Sequence, residues 1–274
     1  MINAPLKSHY ALSTETINSF KQRGHCVVRN LASHEEITTY KNAIDEATME
    51  RRWDKRPIEE RDTYGKAFIQ SAALCNHSDK VKEFVFAQRF ARVAAELLGV
   101  DGVRLYHDQA LYKEPGGGFT PWHQDQPYYN ISGQQNVSFW IPVDPVPLES
   151  TLRFVAGSHQ GTWYMPRTFR DNQAKWFAEG TLQELPAIDA NPDQYQQLAW
   201  AMQPGDIVAF HMLTLHASAG VGANQRRRVF SARYMGDDTR HAIRPWRTSP
   251  PFTGLSEVLA DGALMEHDWF PLVG

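Results

Sequence analysis

The sequence predicts a mainly β protein carried on a helical support, and three observations predict it. Helical periodicity is confined to about the first hundred residues. From residue 103 the chain breaks into short runs rich in Val, Ile, Phe, Trp and Tyr, bounded by Gly, Pro, Asp and Asn. One long interruption, 161–201, then separates the last two of these runs from the others. Helices first and strands afterwards imply a helical layer against an antiparallel sandwich or barrel.

Residues 13–23 read as a helix, with Ser13 or Thr14 as N-cap and Gly24 closing its end. A short strand follows at 26–30. The charged, periodic stretch 34–52 is a surface helix. A further helix spans 80–98, with Val81, Phe84, Val85, Phe90, Val93 and Leu97 near helical spacing and Gly99 at its end. The β runs are 103–113, 137–143, 152–155, 207–215 and 229–235. The interruption carries a helix-like stretch at 171–179 and an irregular acidic part at 188–193, and such an insertion in a compact β domain reads as a lid or binding loop. The expected organisation is one domain over 1–274. Residues 1–102 give the helical support, 103–160 and 202–236 the β core, 161–201 the lid and 237–274 a C-terminal tail.

Composition narrows the function. The chain has 274 residues, 42% hydrophobic and 22% charged, which is long enough and apolar enough for a sizeable core. A net charge of −3 gives no reason to expect nucleic acid or an anionic membrane as partner. Two cysteines, Cys26 and Cys75, suggest neither a disulfide framework nor a thiolate zinc site. No apolar run approaches the roughly eighteen residues of a membrane span. Residues 1–10 lack a secretory pattern, so the expected location is the cytoplasm. Nothing in the sequence specifies an oligomeric state.

Chemistry concentrates at Trp122-His123-Gln124-Asp125-Gln126. On a β-strand His123 and Asp125 share a face and can turn onto one metal ion. With a distant histidine they form a two-His-one-carboxylate set, which leaves adjacent coordination positions open and suits non-haem Fe(II). A lone His-x-Asp is weak evidence, and His77-Ser78-Asp79 has the same spacing. That second triplet precedes a helix, so Asp79 reads as a helix cap. His123 and Asp125 differ by lying in the β half, after a Gly-rich turn at 116–118.

Two histidines compete for the third place. His211 and His216 close one apolar run and, five apart, would point to opposite faces of a regular strand. His216, just before the turn at 217–220, is the expected ligand, and His211 is left to packing. Arg226-Arg227-Arg228 reads either as a solvated basic run or as the opening of a strand with Arg227 facing inward beside Val229 and Ser231. A buried guanidinium there needs a carboxylate, from a structural Asp or Glu or from a 2-oxo acid at the neighbouring metal.

Together these residues resemble the phytanoyl-CoA dioxygenase family, Fe(II)- and 2-oxoglutarate-dependent oxygenases with a double-stranded β-helix (jelly-roll) core. The likeness begins at Gly24-His25-Cys26-Val27-Val28 and continues through Pro121-Trp122-His123-Gln124-Asp125 and Ser138-Phe139-Trp140-Ile141-Pro142. It then passes Leu152-Arg153-Phe154-Val155 and Pro204-Gly205-Asp206, and ends at His216-Ala217-Ser218 with Arg227 eleven residues beyond. The resemblance implies that His123, Asp125 and His216 bind iron and that Arg227 binds the distal carboxylate of 2-oxoglutarate, with Ser218 donating to the same group. It makes Gln109 and Lys113 polar contacts and Trp140 an aromatic wall of the pocket; ordinary core or surface placement is the alternative for these three. It implies consumption of O2, release of succinate and CO2, and hydroxylation of an unactivated C–H bond of a small organic molecule. Two departures occur, Glu149-Ser150-Thr151 in place of Glu-Asn-Gly and Gly220-Val221-Gly222 where a Pro-Asn pair is common; neither touches the ligands. Asp125 leaves no vacated iron position for a halide, which argues against halogenase chemistry.

Trp122, Tyr128, Tyr129, Trp163 and Tyr164 are candidate substrate walls, although sheet packing accounts for each as well. Arg167 and Arg170 are candidate lid contacts to an anion. No basic cluster suits an acyl-CoA, which favours a small organic acid, amine or specialised metabolite. Two rival classes stand beside the oxygenase. A cupin-like metal enzyme that does not use 2-oxoglutarate leaves Arg227 unexplained, and a catalytically silent binding module would be expected to have lost a ligand.

Overall fold

A computed structural model of the chain describes residues 6–167 and 177–273. The expected helix at 171–179 lies outside the described residues up to position 176, as does Arg170; residues 177–179 are not helical.

The chain opens with α1 (Thr14–Arg23), capped by the Ser13 hydroxyl, which accepts from the Thr16 N–H. Gly24 ends it in the left-handed region, φ 78°. A Cβ at that position would come within 2.5 Å of His159 and 2.6 Å of Thr214, so only glycine fits both the backbone and the space. Next come β1 (His25–Val28) and α2 (His34–Arg51), the latter opened by a reciprocal capping box between Ser33 and Glu36. After α3 (Thr63–Ala67) and β2 (Ile69–Ala72) the chain forms α4 (Asp79–Val85) and α5 (Gln88–Leu98).

The expected single helix over 80–98 is therefore two. Ala87 leaves the helical region at ψ 126°, which turns α5 so that Phe84 and Phe90 meet edge to face at 5.1 Å. Ser78, not Asp79, supplies the cap of α4, and Asp79 is its first residue.

Among the described residues eleven strands and one short helix follow: β3 (Val103–Lys113), β4 (Thr120–His123), β5 (Ile131–Ser132), β6 (Asn136–Pro142), β7 (Leu152–Val155), β8 (Gln197–Ala199), β9 (Ile207–Phe210), β10 (His216–Ser218), β11 (Arg227–Met235), β12 (Arg240–His241), α6 (Leu255–Val258) and β13 (Leu272–Val273). The large antiparallel sheet runs β1-β9-β6-β11-β3, and β2 and β13 share the outer edge of β3. The small sheet runs β4-β10-β7-β8, and β5 pairs with β12. The two facing sheets form the double-stranded β-helix, with the N-terminal helices on the outer face of the large one.

Alternation along each strand divides the core. On β11, Phe230, Ala232 and Tyr234 enter the apolar layer under the helices. Arg227, Val229, Ser231 and Arg233 take the opposite face, between the sheets. Phe139 and Ile141 against Trp140, and Ile207 and Ala209 against Val208 and Phe210, divide the same way. Each large apolar side chain buried in this manner contributes about 1.5–3 kcal/mol.

The apolar run at 207–215 is not one strand. β9 ends at Phe210, a buried turn follows, and His216 opens β10 in the other sheet. Segments outside 103–160 and 202–236 also join the sheets: β1 and β2 from the first hundred residues, β8 from the interruption, and β12 and β13 from the tail.

Candidate active site

His123 and His216 face each other in register on neighbouring antiparallel strands, their ring centroids 4.2 Å apart. Asp125 does not share a strand face with His123. β4 ends at His123, and Asp125 adopts a helical conformation at the head of the turn Gln126–Tyr128. The backbone N–H groups of Asp125 and Gln126 both donate to the Met212 carbonyl at 2.9 Å, which fixes that turn against the one preceding His216. Gln124 braces it from outside, donating to the Thr162 and Leu213 carbonyls and accepting from the Tyr164 N–H.

The result is one donor set. The Nε2 atoms of His123 and His216 each lie 3.7 Å from Asp125 Oδ1, and the three donor atoms fall within 4.8 Å of one another. Each histidine Nδ1 is bound to the carbonyl two residues before it, Pro121 at 2.8 Å and Thr214 at 2.9 Å. A carbonyl only accepts, so Nδ1 carries the proton and Nε2 presents its lone pair inward. Burial alone would raise the Asp125 carboxyl, but Arg233 and the two histidines outweigh it and hold the group below the usual carboxylate range. Burial lowers the pKa of His216. Two imidazoles presenting Nε2 and one carboxylate are the donors a divalent iron site requires.

The competing histidine is engaged elsewhere. His211 bonds the Gln134 carbonyl through Nε2 at 2.9 Å and accepts the Leu213 N–H at Nδ1. His77 and Asp79 do not join a donor set; the described residues contain one such group, and it is His123, Asp125 and His216.

These donors line a cavity between the sheets of about 910 Å³, counting its open mouth. Gln109, Trp140, Ser218 and Arg227 line it too. Arg227 is buried, bonds the Ser150 carbonyl through Nη1, and lies 5.6 Å from the Trp140 ring. Its Nε has no hydrogen-bond partner and no carboxylate pairs with it among the described residues. Burial pushes its pKa down to about 9, which still leaves it charged near neutrality. The buried Ser218 hydroxyl is likewise without a partner there. Two orphaned donors, one from each of the sheets that enclose the cavity, fit a bound carboxylate. Lys113, by contrast, does not line the cavity: its ammonium reaches back to the Gly118 carbonyl, over the Phe68 ring. Burial and the charge of Arg227 lower its pKa to about 6.

Of the aromatic candidates, Tyr128 and Tyr129 line the cavity. Trp122 packs under Arg153, Trp163 under Arg244, and Tyr164 joins a separate apolar cluster. Arg167 is engaged by Glu179 and Glu184.

Sequence reasoning misses two contributors. Arg233 is buried on the inner face of β11, with Nη2 3.4 Å from Asp125 Oδ2; extending the alternation of Arg227, Val229 and Ser231 by one step would have found it. The tail is the other. Arg244, Trp246 and Ser249 hydrogen-bond in turn to the carbonyls of Tyr129, Pro127 and Tyr128, and Ser249 lines the cavity. No pattern in 237–274 announces this.

The phytanoyl-CoA dioxygenase (PhyH) family profile matches residues 20–229. A probable alpha-ketoglutarate-dependent hypophosphite dioxygenase from Stutzerimonas stutzeri is 22% identical over 161 residues, 58% of this chain and 54% of that protein. A 2-aminoethylphosphonate dioxygenase from the uncultured bacterium HF130_AEPn_1 is 22% identical over 187 residues, 67% of this chain and 64% of that protein. The chain thus aligns with between about half and two thirds of the length of these curated relatives. The crystal structure of the non-heme alpha ketoglutarate dependent carbocyclase SnoK from nogalamycin biosynthesis shares the fold, with a TM-score of 0.71 at 22% identity over 96% of this chain and 97% of that one. The matched span contains the whole donor set and Arg227, and the chain belongs to the phytanoyl-CoA dioxygenase family.

Proposed function

We propose that the protein is an Fe(II)- and 2-oxoglutarate-dependent oxygenase that hydroxylates an unactivated C–H bond of a small organic molecule, consuming O2 and releasing succinate and CO2. The observation that carries this reading is the presence, in one cavity, of a histidine–aspartate–histidine donor set and a buried arginine with no carboxylate partner among the described residues. When bound, iron would activate O2, the oxidant, and 2-oxoglutarate would supply two of the four electrons that reduce it, the substrate supplying the other two.

This chain's residues supply the rest. His123, Asp125 and His216 hold the metal, and the carbonyls of Pro121 and Thr214 keep the protons on the far side of both rings. Arg227 and Ser218 bind the distal carboxylate of 2-oxoglutarate. Trp140 flattens the guanidinium against the wall, and Gln109 offers an amide from the neighbouring strand. Lys113, kept near neutral by its burial, stabilises the Gly-rich turn and adds little charge behind Arg227. Tyr128, Tyr129 and Phe210 exclude water from the metal side.

The names of the relatives support a small-molecule substrate. Neither nucleic acid nor membrane belongs to this reading, and the protein acts in the cytoplasm. No helix among the described residues is long and apolar enough to cross a membrane.

Anaerobic titration of the metal-free protein with Fe(II) and then 2-oxoglutarate tests the proposal. A weak absorption band in the green, appearing only with both, is expected. Stoichiometric iron without the band would favour a cupin-like enzyme that does not use the 2-oxo acid. No iron binding at all would favour a silent binding module.

A further inference from the structure

The cavity is unbalanced in charge. One carboxylate, Asp125, faces two guanidinium groups, Arg227 and Arg233, and a histidine that ligates a metal does so as the uncharged imidazole. Lys113 lies outside the lining. A divalent metal ion raises the excess to three positive charges. The dianion of 2-oxoglutarate removes two, its chelating carboxylate beside the metal and its distal one at Arg227. One positive charge remains, and Arg233 carries it.

Arg233 is built like a ligand-binding group rather than a finished structural pair. It is 3% exposed, and both Nε and Nη1 lack a hydrogen-bond partner among the described residues. Its contact with Asp125 is 3.4 Å, well beyond the roughly 2.7–2.9 Å of a charge-assisted bond. The guanidinium lies over the Tyr129 ring, 5.6 Å from its centroid. Tyr129 also interacts with it through its hydroxyl, which fixes the fork while Nε and Nη1 stay without a partner. A buried guanidinium with two unused donors is costly unless an anion completes it. Arg227 and Arg233 are six residues apart on one strand, about 20 Å at the usual rise, so the two forks anchor at opposite ends of the cavity wall.

Resting on the oxygenase reading, we propose that Arg233 is the substrate-recognition residue and that the substrate carries an oxyanion, a carboxylate or a phosphoryl group, held by Nε and Nη1 beside the metal. The aromatic surfaces of Tyr128 and Tyr129 receive the part of the substrate next to that anion. The substrate class is thereby narrowed from any small organic molecule to a small organic anion.

The test uses the anaerobic Fe(II)·2-oxoglutarate complex of the full chain, titrated with benzoate, phenylphosphonate and neutral benzamide at millimolar concentration. The readout is the shift of the green absorption band as a ligand fills the substrate side. At least one anion should give a saturable shift that benzamide does not, and the better of the two identifies the group. In Arg233→Gln that anion should bind about tenfold more weakly or worse, as expected for losing a buried charged partner. Affinities for iron and 2-oxoglutarate should change far less, and Arg233→Lys, which keeps the charge should the neutral variant fail to fold, should retain the preference for anions. Equal binding of benzamide and the anions, or no shift with any probe, would overturn the proposal. So would an Arg233→Gln variant that binds the anion normally, one that loses iron (a strut for Asp125), or one that loses 2-oxoglutarate (a cosubstrate contact). Absence of the band in the wild-type protein would instead overturn the underlying oxygenase reading.

Discussion

Replacing Arg227 with methionine should separate binding from stability, because the two respond with opposite sign. Burial lowers the Arg227 pKa from 12.5 to about 9. At about 1.4 kcal/mol per pKa unit, keeping that charge costs the ligand-free fold up to roughly 5 kcal/mol. The bond to the Ser150 carbonyl and the Trp140 face return roughly 2–3 kcal/mol of it. Methionine removes the charge and fills much of the volume, so urea stability of the metal-free protein should stay level or rise by about 1–3 kcal/mol. The 2-oxoglutarate complex loses a buried charge pair worth about 2–5 kcal/mol, so its dissociation constant should rise between about thirtyfold and a few thousandfold. Chemical denaturation gives the first quantity and anaerobic titration of the Fe(II) complex the second. A variant that is clearly less stable yet binds 2-oxoglutarate normally would refute the reasoning and make Arg227 a structural group.

Three further outcomes follow from the geometry. His216→Ala should abolish Fe(II) binding and iron-dependent succinate formation, whereas His211→Ala should keep both and lose about 1–3 kcal/mol of stability through its two buried hydrogen bonds; equal loss of iron in both would undo the assignment. Burial holds both His25 and His211 at a pKa of about 4. Between pH 6.5 and 4 the unfolded chain therefore takes up protons that the folded chain refuses, so stability rises with pH across that window, by up to roughly 3 kcal/mol for each histidine. His211→Asn should flatten the urea-midpoint profile there, and an unchanged slope would count against this account. Gly24→Ala should cost about 2–4 kcal/mol and weaken iron binding, because the added Cβ strikes His159 and Thr214 while the Gly24 carbonyl accepts from the His211 N–H and the Thr214 hydroxyl. Calorimetry together with iron titration checks it, and a wild-type melting temperature would contradict it.

Where pattern and structure agree, the physics is local. β3 spans Val103–Lys113 because its residues satisfy pleat and burial at once, and α1 begins and ends where Ser13 and Gly24 dictate. Two of the disagreements share one character: breaks without Gly or Pro. Phe86 and Ala87 end α4 through packing of Phe84 against Phe90 and Phe230, which no propensity encodes. The apolar residues at 211–215 turn inside the protein rather than at its surface, because Gly24, Asn136 and Ser158 supply the hydrogen bonds water would otherwise give. His216 therefore reaches the cavity by changing sheets, not by strand parity, and Asp125 by opening a turn. The residue types at the site are legible in sequence. Their route into it, and the contribution of Arg233 and the tail, depend on contacts between residues far apart in the chain, from 57 positions for Leu215 and Ser158 to 108 for Arg233 and Asp125 and beyond.

The tail wall also has a bearing on synthesis. The donors and Arg227 are all in place by residue 227, but the segment that pins the backbone of residues 127–129 emerges only at 244–249. A chain cut short between these points would carry the parts that engage oxygen without the wall that shuts out water. On the proposed oxygenase reading, such a fragment would spend 2-oxoglutarate without product, with Tyr128 and Tyr129 among the groups exposed to oxidation in the cavity. On the same reading, completing the wall after the donor set makes residues 244–249 the safeguard on its reactivity.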